Sequence, residues 1–242
     1  MSGSKTSTAR SRFGLTADLP APGPAAPTYP ERLGKFTCFF DKSGSTRPIH
    51  DLFAKACQMA KDEAVAAYPA AGDLVVARAV VMMDPPVYGP HRPLKEFAFP
   101  DGTRDGGSPV FTTAAAMLDG ERAFVADVYA AECSIREHQV FYFTDGEDTA
   151  GAGGRAHVPA IRQFYADFPN VKTHVVVPGL DYDRDGVAAL AAPNSADAVT
   201  VGADGGMFAA LVKAMAEQLK NMSRNASTNR DLPRPAAPRG AR

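Results

Sequence analysis

The stretch that decides the fold runs from residue 36 to residue 46 and reads FTCFFDKSGST. Four of its first five residues are apolar, with Thr37 as the exception, as expected of a short strand that is buried on both faces. The polar residues that follow lead directly into a segment of helical periodicity. The alternate spacing of Asp41, Ser43 and Ser45 lets a turning loop direct all three side chains to one side, and Gly44 gives the backbone freedom for that turn.

Outward from this stretch, apolar segments of strand length alternate with amphipathic segments of helical length. The predicted strands are 36–40, 74–83, 94–99 (a weak edge strand), 139–144, 171–177 and 197–201, and the predicted helices are 49–68, 113–131, 158–168, 187–191 and 206–220. This order predicts a doubly wound α/β domain over residues 31–221, with a mostly parallel central sheet of about six strands and helices on both faces. Ligands of such folds bind beyond the carboxyl ends of the strands.

The composition is that of an ordinary globular chain, with 45% hydrophobic and 22% charged residues among 242 and a net charge of −1. The charge is uneven, because basic ends (+3 over 1–35 and +4 over 221–242) leave −8 on residues 36–220. An acidic body favours cations and gives no reason to expect a nucleic-acid partner. Residues 1–30, rich in Pro, Ser and Ala, are predicted to be a disordered arm, and residues 222–242 a disordered basic tail.

The N-terminal segment has no apolar stretch of the length that a secretory signal requires, and the sequence has no apolar run long enough for a membrane span. Its three cysteines, Cys38, Cys57 and Cys133, have neither zinc-binding spacing nor an even number. We therefore expect a cytoplasmic protein without a membrane partner, whose cysteines are small buried apolar residues.

Polar residues follow three predicted elements at what should be one edge of the sheet. Asp41, Ser43 and Ser45 follow the first strand, Asp145 lies in the TDGEDT segment (144–149) at the end of the 139–144 strand, and Ser108 lies in a DGGSPVF segment before the second helix. Hydroxyl and carboxylate oxygens are hard ligands, suited to Mg²⁺ or Ca²⁺ and unsuited to zinc. With two carboxylates among neutral hydroxyls, a bound cation would keep enough charge to accept a carboxylate from another molecule.

Three motifs in order resemble those of von Willebrand factor A (vWA) domains, in particular the intracellular bacterial type. FTCFFDKSGST is similar to the first strand and DxSxS motif of that family, VFYFTDGEDT to its fourth strand and TDG motif, and GGSPVFTTA to its GGTPLY-type loop. The resemblance covers about residues 33–220 and implies a Rossmann-like fold with a metal-ion-dependent adhesion site (MIDAS).

The resemblance also implies a role for each motif residue. Ser43 and Ser45 would bind the ion through their hydroxyls, Ser108 would replace the family's usual Thr, and Asp41 and Asp145 would act mostly through bound water. Mg²⁺ is the expected ion, with Mn²⁺ and Ca²⁺ as alternatives, and the sixth ligand would be a Glu or Asp of a protein partner. If the loop is shifted, Thr112 or Thr113 would supply the third hydroxyl instead of Ser108.

We therefore expect a non-enzymatic, metal-dependent interaction module that serves as an adaptor for a larger assembly. Two alternatives use the same residues: a Mg²⁺-dependent phosphohydrolase, and a structural protein whose metal site is vestigial. A haloacid-dehalogenase-like mechanism is disfavoured, since it needs an acid two residues after Asp41, where Ser43 stands. The acidic loop 181–186 imitates a calcium-binding loop, but its twelfth position would be Ala192 in place of the required Glu.

Overall fold

The computed structural model describes residues 31–46, 50–82, 85–99, 107–178, 182–193, 195, 199–201 and 205–227. Its strands are β1 (Arg32–Asp41), β2 (Val75–Met82), β3 (Val87–Tyr88), β4 (Arg92–Pro93), β5 (Ser134–Phe143), β6 (Val171–Pro178) and β7 (Val199–Val201). Its helices are α1 (His50–Ala67), α2 (Ala71–Leu74), α3 (Val110–Ala130), α4 (Ala152–Arg155), α5 (Val158–Asp167), α6 (Arg184–Leu190) and α7 (Gly205–Ser227).

The central sheet has five parallel strands in the order β2-β1-β5-β6-β7. The short strands β3 and β4 pair antiparallel with β2 and form one edge of the sheet. The two neighbours of β1 extend beside nearly its whole length, so its carboxyl end lies in the middle of the sheet. The predicted doubly wound α/β class is confirmed.

Alternation along β1 divides the core into two layers, because successive side chains of a strand point to opposite faces. Leu33 and Phe39 belong to the layer under α3, α5 and α6. Phe36, Cys38 and Phe40 belong to the layer under α1 and α7. Burial on both faces explains why the strand is continuously apolar near its carboxyl end.

The prediction of an edge strand at 94–99 is wrong. Leu94–Glu96 forms a 3-10 turn, and Leu94 and Phe97 are both buried. Their spacing of three residues places them on the same side of such a turn, which has three residues per turn. The edge pairing is made instead by β3 and β4, in a Pro-rich stretch where the sequence predicted no strand.

The domain was predicted to end at residue 221, but α7 continues through Ser227. Met222 and Ala226 are buried, so this last part of the helix contributes to the core. Residues 1–30 and 228–242 lie outside the described residues, and the two disordered ends remain predictions.

A buried group of charged side chains lies between α3 and the sheet. The Glu121 carboxylate, which is fully buried, lies 2.9 Å from Lys35 Nζ and 3.2 Å from both Arg78 Nη1 and His91 Nε2. Burial alone would raise the pKa of Glu121, but the Lys35 charge and the contacts with His91 and His138 outweigh it and hold the pKa well below the ordinary 4.5. Removing one member of such a group leaves buried charge uncompensated.

We expect Glu121→Gln to lower the free energy of unfolding by about 3–5 kcal/mol, because it leaves the Lys35 and Arg78 charges without their shared carboxylate. Urea unfolding at pH 7 measures the change. Asp127→Asn, on the exposed side of the same helix, is the matched control and should change stability by less than about 0.5 kcal/mol. Equal effects of the two substitutions would show that the buried carboxylate is not needed.

His138 should make the stability depend on pH. Its pKa is lowered from 6.5 to about 3, because burial disfavours the charged ring more strongly than the nearby Glu121 carboxylate favours it. The unfolded chain therefore takes up this proton first, and stability is lost as the pH falls below 6.5, by up to about 1.4 kcal/mol per pH unit. We expect His138→Gln to flatten the fall in urea midpoint between pH 6.5 and pH 5, and an unchanged slope would contradict the assignment.

Candidate metal centre

The first loop of the candidate site is anchored by Asp41, the last residue of β1, which is 1% exposed. One carboxylate oxygen accepts a hydrogen bond from the backbone N–H of Ser43 at 2.9 Å. The other accepts from Thr144 Oγ1 at 2.6 Å, directly after β5. Asp41 thus fixes its own loop and joins it to the loop that follows the neighbouring strand.

Thr46 closes the same loop from inside. Its fully buried hydroxyl lies 2.6 Å from the Asp41 carbonyl oxygen, to which it donates, and 2.7 Å from Nε2 of His50 in the first turn of α1. Thr46 and Thr144 were not predicted as site residues from the sequence. A hydroxyl residue beside the motif can form such a local turn, but the sequence does not show which one does.

The second loop brings its acid against the first. Asp145 Oδ2 accepts a hydrogen bond from Ser45 Oγ at 2.5 Å, and Ser45 Oγ lies 3.0 Å from Ser43 Oγ. Asp145 Oδ1 accepts from the backbone N–H of Glu147 at 3.1 Å. Four of the five predicted site residues, Asp41, Ser43, Ser45 and Asp145, therefore lie in one connected cluster, and their role as metal ligands stays a prediction.

Ser108, the fifth predicted residue, is joined to the second loop. Its backbone N–H donates to Thr149 Oγ1 at 2.6 Å, and its carbonyl oxygen accepts from the Thr149 N–H at 3.0 Å. Of the two alternatives, Thr112 lies on the exposed side of α3, and Thr113 is 1% exposed among the core residues of that helix. Asp105 and Gly106, which precede Ser108 in its motif, lie outside the described residues.

The two carboxylates of the cluster have no cationic ion-pair partner in the described part of the chain. Within the described ranges, no Lys, Arg or His side chain forms an ion pair with Asp41 or Asp145, although both are at least 96% buried. Burial raises the pKa of Asp41 to about 6, although hydrogen bonds from Thr144 and Ser43 favour its charged form. A divalent cation would compensate these charges, as buried charges require.

Carboxylates and imidazoles alone would not form a metal site here. In the part of the chain that the structure describes, no three His, Cys, Asp or Glu side chains are grouped so that they could hold an ion. A metal at the cluster would therefore depend on the serine hydroxyls.

The acidic loop 181–186, which resembles a calcium-binding loop in sequence, has another role. Asp183 caps the start of α6 by accepting a hydrogen bond from the Gly186 N–H at 3.0 Å, and Asp181 lies outside the described residues.

Gly146 holds the second loop in a conformation that other residues rarely adopt. Its φ is +80°, and a side-chain carbon there would lie 2.9 Å from the Asp183 carbonyl oxygen and from the Val187 nitrogen. The Asp183 N–H also donates to the Asp145 carbonyl oxygen at 3.0 Å. The close approach of α6 therefore depends on a glycine directly after the site's acid.

Solved structures share this architecture at low sequence identity. The pilus adhesin SpaC from Lactobacillus rhamnosus GG gives a TM-score of 0.51 at 13% identity, over 81% of this chain and 31% of the adhesin. A von Willebrand factor type A protein from Catenulispora acidiphila gives 0.49 at 12% identity, over 79% and 43%. Proximal thread matrix protein 1 from the mussel byssus, with a zinc-occupied MIDAS motif, gives 0.48 at 13% identity, over 81% and 49%. This chain thus spans less than half the length of each.

Fold and site together define a doubly wound α/β domain with a hydroxyl and carboxylate cluster at the carboxyl edge of its sheet. The chain has the vWA fold, as the sequence motifs predicted. No protein-family model and no curated protein matches the sequence. At the identities found, the likeness to the solved structures extends to the fold. No helix in the described part of the chain has both the length and the apolar composition needed to cross a lipid bilayer.

We expect Gly146→Ala to destabilise the fold by more than about 2 kcal/mol, because it adds a clash with α6 to the cost of a positive φ. Thermal or urea unfolding measures the change. Gly151→Ala is the matched control, since Gly151 also has a positive φ (+55°) but nothing within 4 Å of an added side-chain carbon. It should cost only about 1 kcal/mol. Equal losses for the two variants would contradict the proposed importance of the α6 contact.

Proposed function

We propose that this domain is a metal-dependent protein-interaction module that holds Mg²⁺ at its carboxyl-edge cluster and binds a Glu or Asp side chain of a partner protein. The vWA fold supports an interaction module in general. The observation that carries the finer proposal is the direct contact of Ser45 Oγ with Asp145 Oδ2, which brings the first and second loops together around one point.

The donor chemistry of the cluster fits a hard divalent cation. Ser45 Oγ lies within hydrogen-bond distance of both Ser43 Oγ and Asp145 Oδ2, and Asp41 adds a second carboxylate beside Ser43. Oxygen ligands of this kind suit Mg²⁺, and also Mn²⁺ or Ca²⁺. Ser43, Ser45 and Ser108 would supply hydroxyl ligands, while Asp41 and Asp145 would balance the charge through bound water.

A bound Mg²⁺ would supply an electrophilic position to which a carboxylate from another protein can bind. The chain's own residues make that position accessible, because Gly44 and Ser45 are exposed while Asp41 and Ser43 are buried beneath them. The two carboxylates do not exceed the charge of a divalent ion, and neutral hydroxyls as direct ligands would leave the ion electrophilic. A partner's carboxylate would therefore bind at the filled site and be repelled by the acidic empty one.

The way Asp41 is held supports a binding role without catalysis. A phosphohydrolase that used this carboxylate as its nucleophile would need one oxygen free to reach the substrate. Both oxygens accept hydrogen bonds within the protein, and the residue is 1% exposed. We accordingly propose an adaptor rather than an enzyme, acting within a larger cytoplasmic assembly.

Isothermal titration of the full chain with Mg²⁺ and Mn²⁺ tests the metal site. We expect saturable uptake, weakened at least about tenfold by Ser45→Ala, because the variant loses both a hydroxyl ligand and the contact with Asp145. Ser134→Ala is the matched control, since it removes a serine hydroxyl at the opposite end of the sheet, where β5 begins. It should bind the ions as the unaltered chain does.

Capture of a partner protein tests the binding role, with the same dependence on the metal ion and on Ser45. A partner retained from a lysate of the source cells should be released by EDTA, return with added Mg²⁺, and fail to bind the Ser45→Ala variant. Capture that is indifferent to EDTA and to Ser45→Ala, or absence of ion uptake at millimolar concentrations, would overturn the proposed function.

A further inference from the structure

We infer that Asp148 and Thr149 are positioning residues that hold the Ser108 hydroxyl in place beside the second loop. The inference rests on the proposed function, because it explains what fixes the position of Ser108, the third segment of the same metal site. Neither residue belongs to the DxSxS or TDG motif, and neither is proposed as a ligand.

Thr149 makes a reciprocal pair with Ser108. Its hydroxyl accepts from the Ser108 N–H at 2.6 Å, and its own N–H donates to the Ser108 carbonyl oxygen at 3.0 Å. The backbone on both sides of the Ser108 side chain is therefore fixed by one residue. A side-chain carbon at Gly107 would lie 3.1 Å from Thr149 Oγ1, so the approach of the two loops is already close.

Asp148 fixes the start of the helix that follows Ser108. The residue before α3 is Pro109, whose side chain provides no hydrogen bond to cap the helix. Asp148 Oδ2 accepts from the Phe111 N–H at 3.0 Å and so provides an acceptor from a distant loop. A carboxylate at this end of a helix is favoured by the unpaired N–H groups and by the helix dipole.

The same carboxylate is held from its other side. Its Oδ1 accepts from the Ala150 N–H at 2.7 Å, and a side chain at Gly154, in α4, would collide with it. Asp148 Oδ2 and the Thr149 hydroxyl thus contact α3 and Ser108, while Asp148 Oδ1 fixes the carboxylate to its own loop. Their effect on a metal would pass through Ser108, since outer contacts of this kind orient the ligands themselves.

A double-substitution cycle on the full chain tests the inference, with Mg²⁺ affinity by titration calorimetry as the readout. We expect Thr149→Val to weaken Mg²⁺ binding about tenfold, within the range for contacts that orient ligands. Thr149→Ser, which keeps the hydroxyl, should restore affinity to within about twofold. In a Ser108→Ala background, Thr149→Val should cause no further loss, because the residue it positions has no hydroxyl to offer.

Asp148→Asn provides a second route if Thr149→Val does not fold, as judged by circular dichroism and thermal unfolding. It should weaken Mg²⁺ binding in the unaltered background and not in Ser108→Ala. Losses that multiply between positions 149 and 108, or a Thr149→Ser variant as weak as Thr149→Val, would overturn the positioning role while leaving the metal site intact. Absence of Mg²⁺ and Mn²⁺ uptake by the unaltered chain would instead refute the proposed function, and this inference with it.

Discussion

The site depends on the parallel pairing of β1 with β5. The register places Phe40 opposite Phe143, and the two rings stack with centroids 4.9 Å apart. The next residues, Asp41 and Thr144, therefore leave the sheet side by side and can share a hydrogen bond. A shift of one residue would turn every side chain of β1 to the other face and separate the two loops. The packing of the core and the geometry of the site are thus set by one register.

Burial raises the pKa of both Glu121 and Asp41, but the charges around each carboxylate make the net shifts opposite. Glu121 is surrounded by Lys35, Arg78 and His91, and its pKa is held well below the ordinary value. Asp41 has hydroxyl and amide donors but no cationic side chain among the described residues, and its pKa is raised to about 6. The first carboxylate is balanced by the protein itself. The second lies next to the exposed Ser45, where a cation from solvent can reach it, and this position fits the proposed metal site.

The sequence predicted those features that depend on local pattern. The patterns of apolar strands and amphipathic helices predicted the fold. The polar residues at the loop ends predicted four members of the metal-site cluster: Asp41, Ser43, Ser45 and Asp145. The contacts made by Thr144, Asp148 and Thr149 could not be predicted, because their partners lie 37 to 103 residues away in the chain and a hydroxyl or acid in a loop has many potential partners. The extension of α7 was missed although its stripe continues at Met222 and Ala226, because the polar residues between them resemble a tail.

The site has three arms, the first at Asp41, Ser43 and Ser45, the second at Asp145 and the third at Ser108, and different contacts hold each of them. The first is closed by its own residues, through Thr46 and the Ser43 N–H. The second rests on α6, through the hydrogen bond from Asp183 to the Asp145 carbonyl oxygen. The third, at Ser108, is held by residues of the second loop. A displacement of the second loop would therefore move the second and third arms together, and it would also disturb the contacts of Asp41 and Ser45 with Thr144 and Asp145. The environment of a bound ion would thus depend most on the segment after β5, where a structural change elsewhere in the domain would have the largest effect on binding.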